Sequence, residues 1–295
     1  MRKSRLVARL DPWLWSLRLA WLVLPVTSGP PLAAALDPWS APVRATASVG
    51  LWAGWAVVVL ALLVPRPAGL ALVRVVAPAG LAATVAAALS GTGSAPALAV
   101  ATAAAVVALA PEVGTAFVNG GAYPGERRYL LRPPAPVMVG LVPLAWAVLA
   151  AAVTAGPLLL AARQWVAGAL AVLAGAPVTV VLSRSLLALT QRWVVFVPAG
   201  VVLKDHLALQ DPVLFRRAEV AAVGAAPAGT DALDLTGRAL GLALEVRLTE
   251  AAPLLRASRG PRRAEPVRHD AVLFTPTRPG AVLAEARSRR LGASR

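Results

Sequence analysis

The sequence predicts an α-helical transmembrane bundle of about six spans, followed by a β-rich domain that ends in a helix. Three observations predict this. Long apolar runs free of charge fill the first two thirds of the chain, the apolar period changes from helical to alternating after Arg184, and a short basic amphipathic segment closes the sequence. Of the 295 residues 58% are hydrophobic and only 15% charged, against roughly 25% in an ordinary soluble domain.

The elements follow in order. Residues 1–44 hold a basic N-terminus and an apolar stretch, Leu19 to Leu36, interrupted by Pro25, Pro30 and Pro31. Three readings of it stand: a broken transmembrane helix starting near Trp13 with Arg18 snorkelling to the surface, an interfacial helix, or a signal peptide cleaved after "LAAA". In the last two cases five spans remain. The region 45–186 carries the other spans, since about 20 apolar residues cross a bilayer. They are expected near 46–64, 71–89, 95–111, 136–156 and 165–183, with "SGTGSAP" (90–96) and "AGPLLLAARQ" as tight connections. Trp13, Trp15, Trp39 and Trp165 fall near span ends, where an amphipathic ring is comfortable, whereas Trp146 is expected to pack between helices.

Basic residues order the topology. With six spans they gather before the first, in 66–74, in 112–134 and after Ser183, leaving only Arg44 and Arg163 on the other side. The positive-inside rule then puts both ends in the cytoplasm.

Beyond Arg184 the residues alternate. "WVVFVPAGVVLKD" reads as two strands about Pro198–Ala199–Gly200, with Arg192 and Trp193 assigned to the membrane surface. "ALGLALEVRL" puts Leu240, Leu242, Leu244, Val246 and Leu248 on one face, a half-buried strand over Ala239–Leu248. Further strands are expected at "VLF" near 213, "EVAAVGA" from 219, "ALDLT" from 232 and "AVLFT" from 271. "TPTRPGAVLAEARSRRL" reads as a closing helix, with Val282, Leu283 and Ala286 on one side and Arg287, Arg289 and Arg290 where the helix dipole favours cations.

This hairpin directly after a membrane helix, with more strands and a final "TPTRPGAVLAEARSRR", resembles the bacterial PH-like domain carried by many integral membrane proteins. The whole chain is similar to a set of polytopic membrane proteins of high-GC Gram-positive bacteria. The resemblance covers residues 190–290, with 291–295 as a tail, and implies a bent, roughly seven-stranded barrel capped by one helix. It carries no catalytic residues.

Several chemistries are excluded or disfavoured. With no cysteine there is no disulfide, thiolate catalysis or Cys-based metal site, and the two histidines, His206 and His269, lie far apart. No metal or cofactor is expected. The net charge of +15 comes almost wholly from arginine, as in GC-rich coding, and lacks the exposed interleaved aromatics of a nucleic-acid surface. No nucleophile elbow, phosphate loop or paired-histidine motif occurs; "GTGS" (91–94) reads as a turn, and His269–Asp270 as a loop pair. The spans contain no Asp, Glu, Lys or His, which disfavours an ion-coupled carrier.

The most distinctive polar stretch is "VNGGAYPGERRYLLRPP" (118–134). Its Arg127, Arg128, Arg132 and Tyr129 are candidate contacts for anions or lipid headgroups, because the guanidinium presents a planar donor fork. The same stretch also reads as a plain topology-setting loop, and "LLRASRGPRRAEPVR" (254–268) as a solvated basic loop. The sequence therefore leads us to expect a non-catalytic membrane protein whose cytoplasmic domain meets the lipid bilayer, anionic headgroups or a protein partner. A transporter component with a regulatory domain, and a membrane enzyme acting on lipid or envelope precursors, are the alternatives.

Overall fold

The computed structural model describes residues 11–257 and 264–292. The chain divides into two compact units: Met1–Gly120 with Val142–Ala188, and Gly121–Leu141 with Leu189–Arg295.

The first unit is helical. Among the described residues five helices are long and apolar enough to cross a membrane, up to six spans if one bent pair counts, as in a multi-pass membrane protein. α1 (Pro12–Leu36) begins at Asp11, whose carboxylate accepts from the Trp13 and Leu14 amides at 3.0 and 3.3 Å. It runs unbroken through all three prolines and packs along α4, as an integral member of the bundle. α2 is Ala41–Leu63, α3 Pro67–Leu89, α4 Ala95–Leu109 and α5 Pro111–Asn119. α4 and α5 are bent by 57° about Ala110, so in place of the expected straight span over 95–111 there is a bent pair, a broken span or a re-entrant loop, that reaches further along the chain.

Proline explains one unusual contact. Pro25 lacks the amide that would bond the Trp21 carbonyl in an α-helical ladder, and the Trp55 indole takes its place at 2.9 Å. The Trp21 indole reciprocates, donating to the Trp55 carbonyl at 3.0 Å. Nearby Arg18 does not simply snorkel. Its Nε and Nη2 both donate to the Leu62 carbonyl at 3.1 and 2.7 Å, capping the C-terminal end of α2 where an unpaired carbonyl and the helix dipole favour a cation.

A π-helical turn (Val137–Leu141) leads into α6 (Val142–Ala161), and α7 (Trp165–Leu189) returns. Both extend beyond the expected ends at 156 and 183, so the connection shrinks to three residues. Their seam is glycine. A Cβ at Gly156 would meet Val172, one at Gly168 would meet Leu160, and one at Gly175 would stand 2.8 Å from the Ala152 carbonyl. Backbones that approach this closely are the usual currency of helix association in lipid. Trp146 packs between helices as its position suggested, donating to the Val75 carbonyl at 2.9 Å.

The second unit is built on two antiparallel-rich sheets. The first has the order β1-β2-β3-β4, from β1 (Arg127–Leu130), β2 (Trp193–Val197), β3 (Gly200–Lys204) and β4 (Val213–Arg216). The second has the order β5-β7-β8-β6, from β5 (Val220–Ala225), β6 (Leu233–Asp234), β7 (Leu244–Ala257) and β8 (Ala264–Phe274). Inward side chains of the two sheets share one core: Tyr129, Val194, Phe196, Leu203 and Phe215 meet Leu244, Val246, Val272 and Phe274. α8 (Pro279–Ser288) adds Val282 and Ala286 to it.

A seven-stranded barrel is not what the topology alone displays: among the described residues eight strands form two four-stranded sheets, neither closed in itself, with isolated bridges from Leu131 to Pro276 and from Leu209 to Arg256. Three expectations need correction. The stretch 118–134 is no plain loop: β1 lies inside it and pairs antiparallel with β2 from Arg127↔Phe196 to Leu130↔Trp193. The basic segment 254–268 is in strand on both described sides, Ala257 pairing with Ala264; residues 258–263 lie outside the described residues. Finally, β7 starts at Leu244, because Gly241 has φ +115° and Leu240 and Leu242 stay exposed.

Candidate functional site

The candidate contacts Arg127, Arg128, Tyr129 and Arg132 are placed by one edge strand and the residues just after it. Alternation on β1 sends Arg127 and Tyr129 to one face and Arg128 to the other. Tyr129 enters the core at 8% exposure, edge-on to Phe196 with centroids 5.9 Å apart. Its hydroxyl donates to Glu285 Oε2 at 3.5 Å, and Glu285 Oε1 accepts from Arg289 Nε at 2.6 Å. Arg289 in turn reaches the Gly125 carbonyl at 2.8 Å. This chain of contacts ties α8 to the segment that precedes β1, and Tyr129 acts as part of the core. Burial, with the Glu285 carboxylate as a second cause, raises the Tyr129 phenol above its ordinary pKa.

Arg128 is engaged rather than open. Its Nε and Nη2 donate to the two oxygens of Glu126 at 2.8 and 3.0 Å. That fork, together with the Tyr123 amide, outweighs burial and holds the Glu126 carboxyl below the usual carboxylate range. Arg128 also lies 5.4 Å from the Trp193 ring, with Lys204 Nζ at 5.0 Å from the same ring. Trp193 and Lys204 are directly opposite in the β2–β3 register, so the pairing itself delivers the ammonium to the aromatic face.

Arg127 is exposed at one end of β1, and Arg132 follows its other end. Five residues of extended chain separate them by about 17 Å. One phosphate cannot engage both. Arg132 instead opposes Thr275 across the Leu131↔Pro276 bridge, donating its amide to the Thr275 carbonyl at 2.8 Å, with its guanidinium against Gly241.

The most deeply buried ion pair among the described residues involves Arg192, which the sequence assigned to the membrane surface. Arg192 is buried at 2% side-chain exposure and forms a fork with Asp205, itself at 1%. Nε donates to Oδ1 and Nη2 to Oδ2, both at 2.6 Å, while Nη1 donates to the Arg132 carbonyl at 3.0 Å. The Leu131 amide donates to the Arg192 carbonyl at 3.0 Å. One residue thus fastens the segment between two spans to the strand that follows the last span. The available signal was the thirteen-residue spacing of Arg192 and Asp205 across a tight hairpin, which places both at its open end.

His269 and Asp270 are successive residues of β8 and point to opposite faces, so no dyad forms. His206 is exposed, with burial of part of its ring lowering its pKa. Among the described residues no three of His, Cys, Asp and Glu gather to hold a metal. What the β unit offers chemically is therefore donors, the exposed Arg127 and the half-buried Arg132 and Lys204, together with exposed Leu207, Leu214, Leu240 and Leu242. Comparison with family models, with curated proteins and with solved structures finds no match to this chain.

Proposed function

We propose that this is a non-catalytic integral protein of the bacterial inner membrane, which holds a PH-like β domain on the cytoplasmic face for interaction with lipid headgroups or a protein partner. One observation carries the proposal: β1 comes from between two spans and pairs with β2, which starts four residues after α7 ends. The domain is thereby attached to the spans through three chain segments, those leaving α5, entering α6 and leaving α7. Such tethering suits a surface whose ligand is in or at the bilayer. Two sheets with one shared core and a closing helix support a PH-like relation, although the sheets stay open. β1 and β2 must lie on one side of the membrane, which agrees with α6 and α7 crossing and returning. The excess of arginine in these same segments argues that this side is the cytoplasm.

The chain has no cysteine, so single-cysteine variants report cleanly on both side and contact. Tyr123→Cys and Ala284→Cys should react with an impermeant maleimide only in inside-out vesicles, and Gln164→Cys only in right-side-out ones. Any other pattern overturns the orientation. Photo-crosslinkers at exposed Leu214 and Leu240 in cells should then trap a recurrent lipid or protein species. Labelling no different from that at Arg217 would count against an interaction surface.

A transporter component with the β domain as its regulatory module gains one specific support. Arg74 lies within α3, so the spans are not free of strongly polar groups on their buried face. A membrane enzyme gains none, because the arginines on which it rested do not converge.

A further inference from the structure

Every carboxylate of the helical unit has a partner, while Arg66, Arg163 and Arg184 are exposed and, among the described residues, one arginine is left with a buried and unbonded nitrogen. Asp11 caps α1, Asp37 faces Arg44 at 3.6 Å, and Glu112 has a partner of its own. The residues outside the described set contain neither Asp nor Glu. Arg18 has the Leu62 carbonyl. Arg74 stands on the stripe of α3 that buries Leu70, Val73 and Ala77, and its Nε is buried with no hydrogen-bond partner among the described residues. Guanidinium stays charged at any physiological pH, so a buried one without a counter-charge is strongly disfavoured.

A second, independent feature lies at the same level. Pro78, four residues on, lacks the amide that would bond the Arg74 carbonyl, so the ladder of α3 opens beside the guanidinium. At the next residue the Val75 carbonyl accepts the Trp146 indole from α6. A cationic donor with an unpartnered Nε and a carbonyl released from its helix therefore belong to one residue, among apolar side chains.

Depth selects the ligand. Arg74 is seven residues into α3, about 10 Å from its start, and side chains on a helix lean toward its N-terminal end. That brings the guanidinium toward the headgroup level rather than the centre of a core about 30 Å thick. The start of α3 is also where Gly120, at the exit from α5, packs on the Pro65 carbonyl. From there the chain continues directly into the segment that supplies β1.

We propose that Arg74 is the anion-binding residue of a phosphate site in the helical unit, filled by the headgroup phosphate of a membrane lipid from the leaflet on the β-domain side. The full chain, purified in neutral detergent, is offered phosphatidylglycerol, diacylglycerol of the same acyl chains, or inorganic phosphate. Bound mass and thermal midpoint are read for wild type, Arg74→Gln, Arg74→Lys and the distant Arg163→Gln. Phosphatidylglycerol should bind wild type and raise its midpoint, while diacylglycerol does neither. Arg74→Gln should weaken that binding about tenfold or more, with Arg74→Lys between and Arg163→Gln unchanged. Without lipid, Arg74→Gln should melt no lower than wild type, because an uncompensated charge is gone. Protection by inorganic phosphate alone would keep the phosphate chemistry and replace the lipid with a soluble source. Equal binding of diacylglycerol, which needs no variant to observe, or unaltered phosphatidylglycerol binding by Arg74→Gln, would overturn the proposal.

Discussion

Replacing Arg192 by methionine should unfasten the β domain. The change keeps most of the side-chain volume but strands Asp205, which then retains only the Leu207 amide on Oδ1 at 3.0 Å. Both partners are at or below 2% exposure, so water cannot take the place of the two 2.6 Å bonds without opening the hairpin. Breaking a buried pair from one side costs about 3–5 kcal/mol. A urea slope of about 1–3 kcal/mol per molar for a domain of this size converts this into a midpoint shift of about 2 M.

The assay uses the missing thiols. A cysteine at buried Ala286 of α8 should label only when the core opens, so maleimide modification against urea gives the midpoint for the full chain in detergent. Removing the second charge as well is the decisive comparison. Arg192→Met with Asp205→Leu takes away the stranded carboxylate, and should recover most of the loss even though the native bonds are gone. A single variant that shifts the midpoint by less than about 0.5 M, or a double variant as unstable as the two singles summed, would refute the reasoning.

The remaining expectations are more local. Trp55→Phe removes the donor to the carbonyl that Pro25 frees, costing about 1–3 kcal/mol; adding Pro25→Ala restores a backbone amide and should return part of it, with purely additive losses counting against the link. Gly175→Leu should force α6 and α7 apart and lower the detergent melting point, by about 1–3 kcal/mol of overpacking, whereas Gly80→Ala, with nothing within 4 Å of its new Cβ, should not. Tyr129 carries a pH dependence. Its folded pKa is raised, so its contribution is complete below the unfolded value of about 10 and is lost as pH rises through the folded value. In Tyr123→Phe it is the one tyrosine left, and a phenolate absorbance midpoint at the ordinary value would contradict its burial.

Sequence made the helices legible because lipid imposes a long, uniform requirement that composition meets directly. Ala41–Leu63 and Trp165–Leu189 lie within a few residues of their expected positions or extend them. Strands such as β2 and β3 were legible for a related reason, since a two-residue turn forces the register from Val197↔Gly200 onward. What failed was anything that depends on distant partners. β1 is only four residues long, and its "RRYL" has no period of its own to reveal a strand. It is a strand because β2 arrives beside it after two intervening spans. Arg192 was misplaced for the same reason: an arginine next to a span reads as a surface residue until Asp205 is seen opposite it. Leu240 and Leu242 show the reverse error, a good alternating pattern left out of β7 by one glycine with positive φ.

The split of the β domain also accounts for the arrangement of α6 and α7. Pairing β1 with β2 closes a long loop, and the entropy of closure must be offset before the sheet contacts count. Here the loop is not flexible. α6 leads the chain away and α7 returns it, with Gly156, Gly168 and Gly175 letting the two backbones touch along the way. Helix pairing in the membrane therefore brings Leu141 and Leu189 back to one side in advance, and the sheet has only to close the few residues that remain. On this view the glycine seam and the Arg192–Asp205 fork are successive parts of one closure. The seam joins residues of α6 and α7 alone, whereas β1 pairs with a strand that lies beyond both helices.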